Sequence, residues 1–169
     1  MLKQSCVEVH ADVIVNAANK YLYAGGGVCG AIFNKAGMSE LTKACSQYQT
    51  PLKDGEAVIT PAFGITNAKA IIHAVGPDFS VTPDAFNRLH DAYYHSLKVM
   101  MENGYHSIAF PLISSGIFGG SLKNPSRESA KQCLKAYNHF IHNHPEYGIT
   151  VYLCAYSYNQ YQNIKVLFD

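Results

Sequence analysis

The chain has 169 residues, with 13 Lys+Arg against 12 Asp+Glu for a net charge of +1, and 48% hydrophobic residues that include 12 Tyr and 8 Phe. That composition supports a sizeable core without metals or disulfides, and it excludes a disordered chain, a small stapled scaffold and a basic protein that coats a polyanion. The longest apolar runs, such as 70–75 and 108–113, fall far short of the roughly 20 residues that cross a bilayer, and the opening MLKQSCVEVH holds no apolar signal stretch, so a cytoplasmic address is expected.

Along the chain the apolar period switches repeatedly between strand-like and helix-like. Residues 12–17 (DVIVNA) read as a short buried strand, β-branched and ended by small polar residues. After Gly25-Gly26-Gly27, residues 28–36 have helical spacing and stop at Gly37, a residue suited to a helix C-terminus. Ser39 is expected to cap a second helix to about residue 48. Lys53-Asp54-Gly55 is turn chemistry, followed by strands at 56–60 and 69–75. Thr82-Pro83-Asp84 reads as a helix start, with a capping hydroxyl and a proline in the first turn, and the helix is expected to run to about 103, with Phe86, Leu89, Tyr93, Leu97 and Met100 on its core face. Residues 107–113 form a strand. Asn124-Pro125 opens a further helix with a stripe of Ala130, Cys133, Leu134, Tyr137 and Ile141; 149–156 is a last strand and 158–168 a closing helix.

The order β-α-α-β-β-α-β-α-β-α implies one α/β domain over 1–169, a three-layer α/β/α sandwich with a mixed, mostly parallel sheet. The five cysteines, Cys6, Cys29, Cys45, Cys133 and Cys154, are odd in number and form no CxxC pair, which argues against a disulfide framework or structural zinc. His139, His142 and His144 sit toward the end of a predicted helix, where cationic side chains suit the dipole, and no carboxylate or cysteine completes a ligand set. No metal and no cofactor are expected.

In open α/β sheets ligands gather at the carboxyl ends of strands, beside helix N-termini. Two loops at such positions are unusual. The first runs from Asn16-Ala-Ala-Asn19 into Gly25-Gly-Gly-Val-Cys-Gly30; three bare glycines let backbone N–H groups approach a phosphate. The second, Ser114-Ser-Gly-Ile-Phe-Gly-Gly120, offers the same backbone with hydroxyls and one aromatic, Phe118, able to cover a sugar. A glycine run alone is more often a tight turn, but two facing loops fit a diphosphate. The spacing matches neither GxxxxGK[ST] nor GxGxxG at the first turn, which disfavours a P-loop nucleotidase and an ordinary dinucleotide oxidoreductase.

The segments VIVNAANKYLYAGGGVCGAIFNKAG (13–37), IIHAVGP (71–77) and PLISSGIFGG (111–120) resemble the macrodomain family, and VYLCAYSYNQY (151–161) resembles its bacterial and viral members. The resemblance implies an α/β/α domain that binds ADP-ribose and, in many members, removes it from proteins or hydrolyses O-acetyl-ADP-ribose without a metal. It implies that Asn16 and Asn19 are the strand-end asparagines, with Asn19 the catalytic residue placed on the distal ribose; that Gly25, Gly26, Gly27 and Val28 wrap the distal ribose and phosphates; and that Ser114, Ser115, Gly116, Ile117, Phe118 and Gly119 form the opposite clamp. Tyr156 matches the aromatic that stacks on adenine, and His73 is expected to be structural. The chain departs from the family at Cys29, where hydrolytic members often carry Asp, and at Phe33, often His. Ser5 and Cys6 fall at the turn whose Asp usually accepts the adenine amino group, and the family's preceding strand is expected to be missing. A small space-filling thiol is the expected role of Cys29, although a helix N-terminus favours thiolate.

Two functions remain open on these residues: a metal-independent hydrolase, removing ADP-ribose from mono-ADP-ribosylated protein or acetyl from O-acetyl-ADP-ribose, and a non-catalytic reader of ADP-ribosylated protein. The partner is ADP-ribose or a protein bearing it, the expected state a monomer. Neither membrane nor nucleic acid is expected as a partner, the net charge disfavouring an RNA-binding role.

Overall fold

In the computed structural model, which describes residues 1–169, β1 (Val13–Ala18) lies at the centre of a five-stranded sheet of order β2-β3-β1-β4-β5. The Val-Ile-Val run explains its place: Val13 and Val15 face one apolar layer and Ile14 the other, so only a strand covered on both faces buries all three. β3 (Ala70–Val75) is buried at every position for the same reason and pairs parallel with β1. β4 (Ser107–Phe110) and β5 (Thr150–Leu153) continue the parallel order, while β2 (Ala57–Pro61) is an antiparallel edge. The layer of α1 (Gly27–Ala36) and α2 (Met38–Cys45) packs Ile32, Phe33 and Leu41 on one face; α3 (Ala85–Glu102), α4 (Pro125–Asn143) and α5 (Tyr158–Ile164) pack Tyr93, Leu97 and Phe140 on the other. The expected mixed α/β/α sandwich is the fold observed. No helix is long and apolar enough to cross a membrane.

Several local expectations are corrected. Ser39 caps nothing: Gly37, at φ 115°, ends α1 and starts α2 at once, and Ser39 falls inside the first turn. Thr82 is not a cap either. Its hydroxyl donates to Asp54 Oδ2 (2.8 Å) and accepts from the Asp78 N–H (3.2 Å), joining two loops, and α3 begins three residues later at Ala85. Phe86 is 43% exposed and meets Phe79 edge-on rather than the core. In α4 the buried stripe continues through Ala136 and Phe140, one residue earlier than expected at each step, leaving Tyr137 half-buried and Ile141 outside. The strand expected over 107–113 stops at Phe110, because Pro111 has no N–H for the ladder, and β5 is trimmed with it, Leu153 being the partner of Phe110. Beyond β5 a single parallel bridge joins Leu2 to Cys154.

Candidate functional site

The carboxyl ends of β1, β3 and β4 point at one cleft of about 860 Å³. Its first wall is built where β1 runs into α1. Gly26 is the residue before α1, with φ −90°, and nothing lies within 4 Å of the point where a Cβ would stand. Gly27 follows at φ +57°, a conformation costly for any residue with a side chain. Gly30 is needed for a different reason: a Cβ there would lie 2.5 Å from the Gly25 carbonyl oxygen, so only glycine lets α1 pack against its own entry loop.

The second wall leaves β4. Ser114 sits at φ +60°, and its hydroxyl donates to the Pro77 carbonyl (2.7 Å), holding the strained residue against the end of β3. Gly76 permits that approach, since a Cβ on it would collide with the Ile113 and Ser114 side chains. The backbone of this loop is held from below by a buried network: the Ile113 N–H donates to the Tyr93 hydroxyl (3.0 Å), Tyr93 and Ser129 share a hydrogen bond (2.7 Å), and Ser129 donates to the Ile113 carbonyl (2.5 Å). Tyr93, read from sequence as apolar core, thus also fixes the loop. Ser115 donates to the Leu112 carbonyl (2.6 Å), and the Phe79 N–H holds the Phe118 carbonyl (2.8 Å). Ile117 is 93% exposed and Phe118 39%.

Thirteen of the expected residues meet on this cleft: Ser5, Asn19, Gly25, Gly26, Gly27, Val28, Cys29, Ser114, Ser115, Gly116, Ile117, Phe118 and Tyr156. Three do not line it. Asn16 lies within β1 opposite His73 of β3, 1% exposed, and its Nδ2 donates to His73 Nδ1 (3.0 Å) while Oδ1 finds no partner. Cys6 is buried behind Ser5 with its thiol toward the Val15 carbonyl, and Gly119 is buried against Pro125. His73 is structural as expected: Nε2 meets Thr60 Oγ1 (2.9 Å), and burial pushes the imidazole down to about 4, so it is neutral. The sequence reading missed Gln160, whose Nε2 reaches Ser115 (3.4 Å) and whose Oε1 accepts from the Tyr156 N–H (3.2 Å). It also missed Ala17, Ala18, Ala31, Gly76 and 111–113, which line the cleft too. A strand-end Gly-Pro marks Gly76, and the Ser157-x-x-Gln160 spacing marks Gln160 as a helix-start residue, with Ser157 accepting from its N–H (3.1 Å), though not as a residue of the cleft.

Asn19 is committed to its own loop. Its Oδ1 accepts from the Tyr21 and Tyr23 N–H groups (3.1 and 3.0 Å), and Nδ2 donates to the Tyr23 carbonyl (2.8 Å), leaving one amide hydrogen that the protein does not use. The Cys29 thiol also points to the Tyr23 carbonyl (3.6 Å). Cys29 is the third residue of α1, yet burial outweighs the helix terminus and pushes its thiol up, so the expected pull toward thiolate does not prevail. Phe33 is fully buried and contributes no polar group.

No Asp, Glu, His, Lys or Arg lines the cleft. What it offers an anion is the backbone N–H groups of the two loops and the N-terminus of α1, a combination suited to an anionic group held without a cation.

The Macro domain family model matches residues 15–137. This chain belongs to the macro domain family. Over 150 residues it is 44% identical to the O-acetyl-ADP-ribose deacetylase of Escherichia fergusonii, covering 85% of this macro domain and 80% of that protein. Among solved structures, the Oceanobacillus iheyensis macrodomain with ADP superposes with a TM-score of 0.86 at 33% identity, over 97% of this chain and 86% of that one. The Trypanosoma brucei macrodomain in complex with ADP-ribose gives 0.86 at 25% identity, over 99% and 68%.

Proposed function

We propose that this macro domain binds ADP-ribose between its two glycine loops and hydrolyses the bond between the distal ribose and an attached acyl group, on O-acetyl-ADP-ribose or mono-ADP-ribosylated protein. The observation that carries the reading is the pairing of two glycine-rich backbone loops, at Gly25–Val28 and Ser114–Phe118, across one cleft that includes Asn19. The deacetylase relative and the ADP-ribose and ADP complexes of the structural relatives support it.

In this reading the diphosphate lies between the loops, Tyr156 and Gln160 flank the adenine end, and the distal ribose lies against Gly25–Val28, within reach of the spare Asn19 amide hydrogen. With no acidic, basic or histidine side chain in the lining, the protein's contribution is positioning and hydrogen bonding: it holds the scissile bond and a water in line and leaves the proton transfers to water and the ligand's own phosphate oxygens. The reading takes a monomer as the active unit and the cytoplasm as its place.

Incubation with O-acetyl-ADP-ribose and with a protein ADP-ribosylated on acidic residues tests it, release of acetate or ADP-ribose being the expected result. Tight binding of both substrates without release would instead support a reader of ADP-ribosylated protein, the second function, which the buried protonated thiol of Cys29 and the apolar Phe33 favour.

A further inference from the structure

The loop between β1 and α1 carries a feature that the cleft does not need. Tyr21 and Tyr23 are 47% and 67% exposed, and their rings stack on each other with centroids 5.6 Å apart and planes at 17°. Leu22, between them, is buried at 3% and held at φ +59°, a left-handed conformation costly for a branched side chain. Burial of the Leu22 side chain in the core offsets that strain and anchors the loop, and both flanking rings face solvent. Two hydrogen bonds accepted by Asn19 Oδ1, one donated by its Nδ2 and one from the Leu22 N–H to the Asn19 carbonyl (3.0 Å) hold the loop, and the Leu52 N–H to the Lys20 carbonyl (2.8 Å) ties it to the segment before β2. A strained, over-determined segment that displays two aromatic rings points to recognition.

The position of the pair sets what it meets. The Tyr23 carbonyl is bound by both Asn19 and Cys29, which line the cleft, and Gly25 follows two residues later. The tyrosines therefore stand at the rim on the distal-ribose side, where whatever is attached to that ribose leaves the cleft. An acetyl group is too short to reach exposed rings outside the cleft; a macromolecule is not. Lys20 and Lys53, adjoining the two ends of the Lys20–Leu52 contact, are exposed, and neither forms an ion pair.

Resting on the reading of the cleft given above, we propose that Tyr21 and Tyr23, with Lys20 and Lys53, form a docking platform for the acidic polypeptide segment flanking an ADP-ribosylated residue. Protein-linked ADP-ribose is then the preferred substrate class over O-acetyl-ADP-ribose. Two lysines are too few to follow a nucleic-acid backbone, which favours a peptide over a single strand of bases.

The test compares free ADP-ribose, an acidic peptide carrying ADP-ribose through a non-cleavable amide, and an oligonucleotide carrying it likewise, by titration calorimetry on the wild type, Tyr21→Ala, Tyr23→Ala and a remote control, Phe86→Ala. Folding of each variant is checked by its Tm. The peptide conjugate is expected to bind roughly threefold to tenfold more tightly than free ADP-ribose, the range that aromatic contacts supply. Either tyrosine substitution should remove that gain and leave free ADP-ribose binding unchanged. Equal binding of free and peptide-linked ligand by the wild type would overturn the platform, as would a gain found only with the oligonucleotide. Failure of free ADP-ribose to bind at all would instead overturn the reading of the cleft.

Discussion

Gly26→Glu separates the phosphate cradle from a mere turn. The residue has φ −90° and ψ −176°, open to any side chain, and no atom lies within 4 Å of a built Cβ, so the substitution introduces no clash. A carboxylate just before the first residue of α1 is favoured by the helix dipole by roughly 0.3–1 kcal/mol, and Tm should hold or rise slightly. If a diphosphate lies against this loop, the new charge stands about 5 Å from it, and at an effective dielectric of about 20 each pair of like charges costs roughly 3 kcal/mol. The ADP-ribose Kd should rise more than about a hundredfold, at about 1.4 kcal/mol per factor of ten. Gly26→Lys adds similar bulk with the opposite sign and should retain binding, which isolates charge from size. Gly27→Glu loses binding too, but its φ of +57° adds about 1–2 kcal/mol of strain and lowers Tm by several degrees. Calorimetric titration of folded Gly26→Glu with an unchanged Kd would refute the cradle, and equal losses in the Glu and Lys variants would show that bulk, not phosphate charge, is what the loop excludes.

Stability should fall as pH drops from about 6.5 toward 4, because the unfolded chain protonates His73 in that window while the buried imidazole, held down to about 4, stays neutral. The loss is roughly 3 kcal/mol for this group, read from urea midpoints, and His73→Gln should be less stable at neutral pH yet show a shallower slope; identical slopes in both proteins would remove His73 as the cause. Cys29→Ala should keep ADP-ribose binding and turnover close to wild type, since the thiol is protonated and packed, while Cys29→Asp places a carboxylate on the first turn of α1 at the cleft and should raise hydrolysis. Retained binding with lost turnover in Cys29→Ala would make the thiol the nucleophile instead.

Local chemistry in the sequence determined the element order, the two glycine loops and thirteen of the residues that line the cleft. A Val-Ile-Val run, glycines that remove side chains and Asn-Pro at a helix start act over a few residues, so their consequences are written in a few residues. The shortfalls arise where a residue has two local options and a distant partner chooses. Asn16 and Asn19 are three residues apart in one motif, but the register of β1 on β3 sets Asn16 against His73 and leaves Asn19 on the cleft. Thr82 has the chemistry of a cap, and Asp54, 28 residues away, takes its hydroxyl. Cys29 lies in the first turn of a helix, which favours thiolate, and the packing around it decides for the thiol. The antiparallel edge β2, the support of the second loop by Tyr93 and Ser129, and the arrival of Gln160 at Ser115 all depend on contacts between segments far apart in the chain. Burial and long-range hydrogen bonding are properties of the assembled layers, and no window of sequence contains both partners.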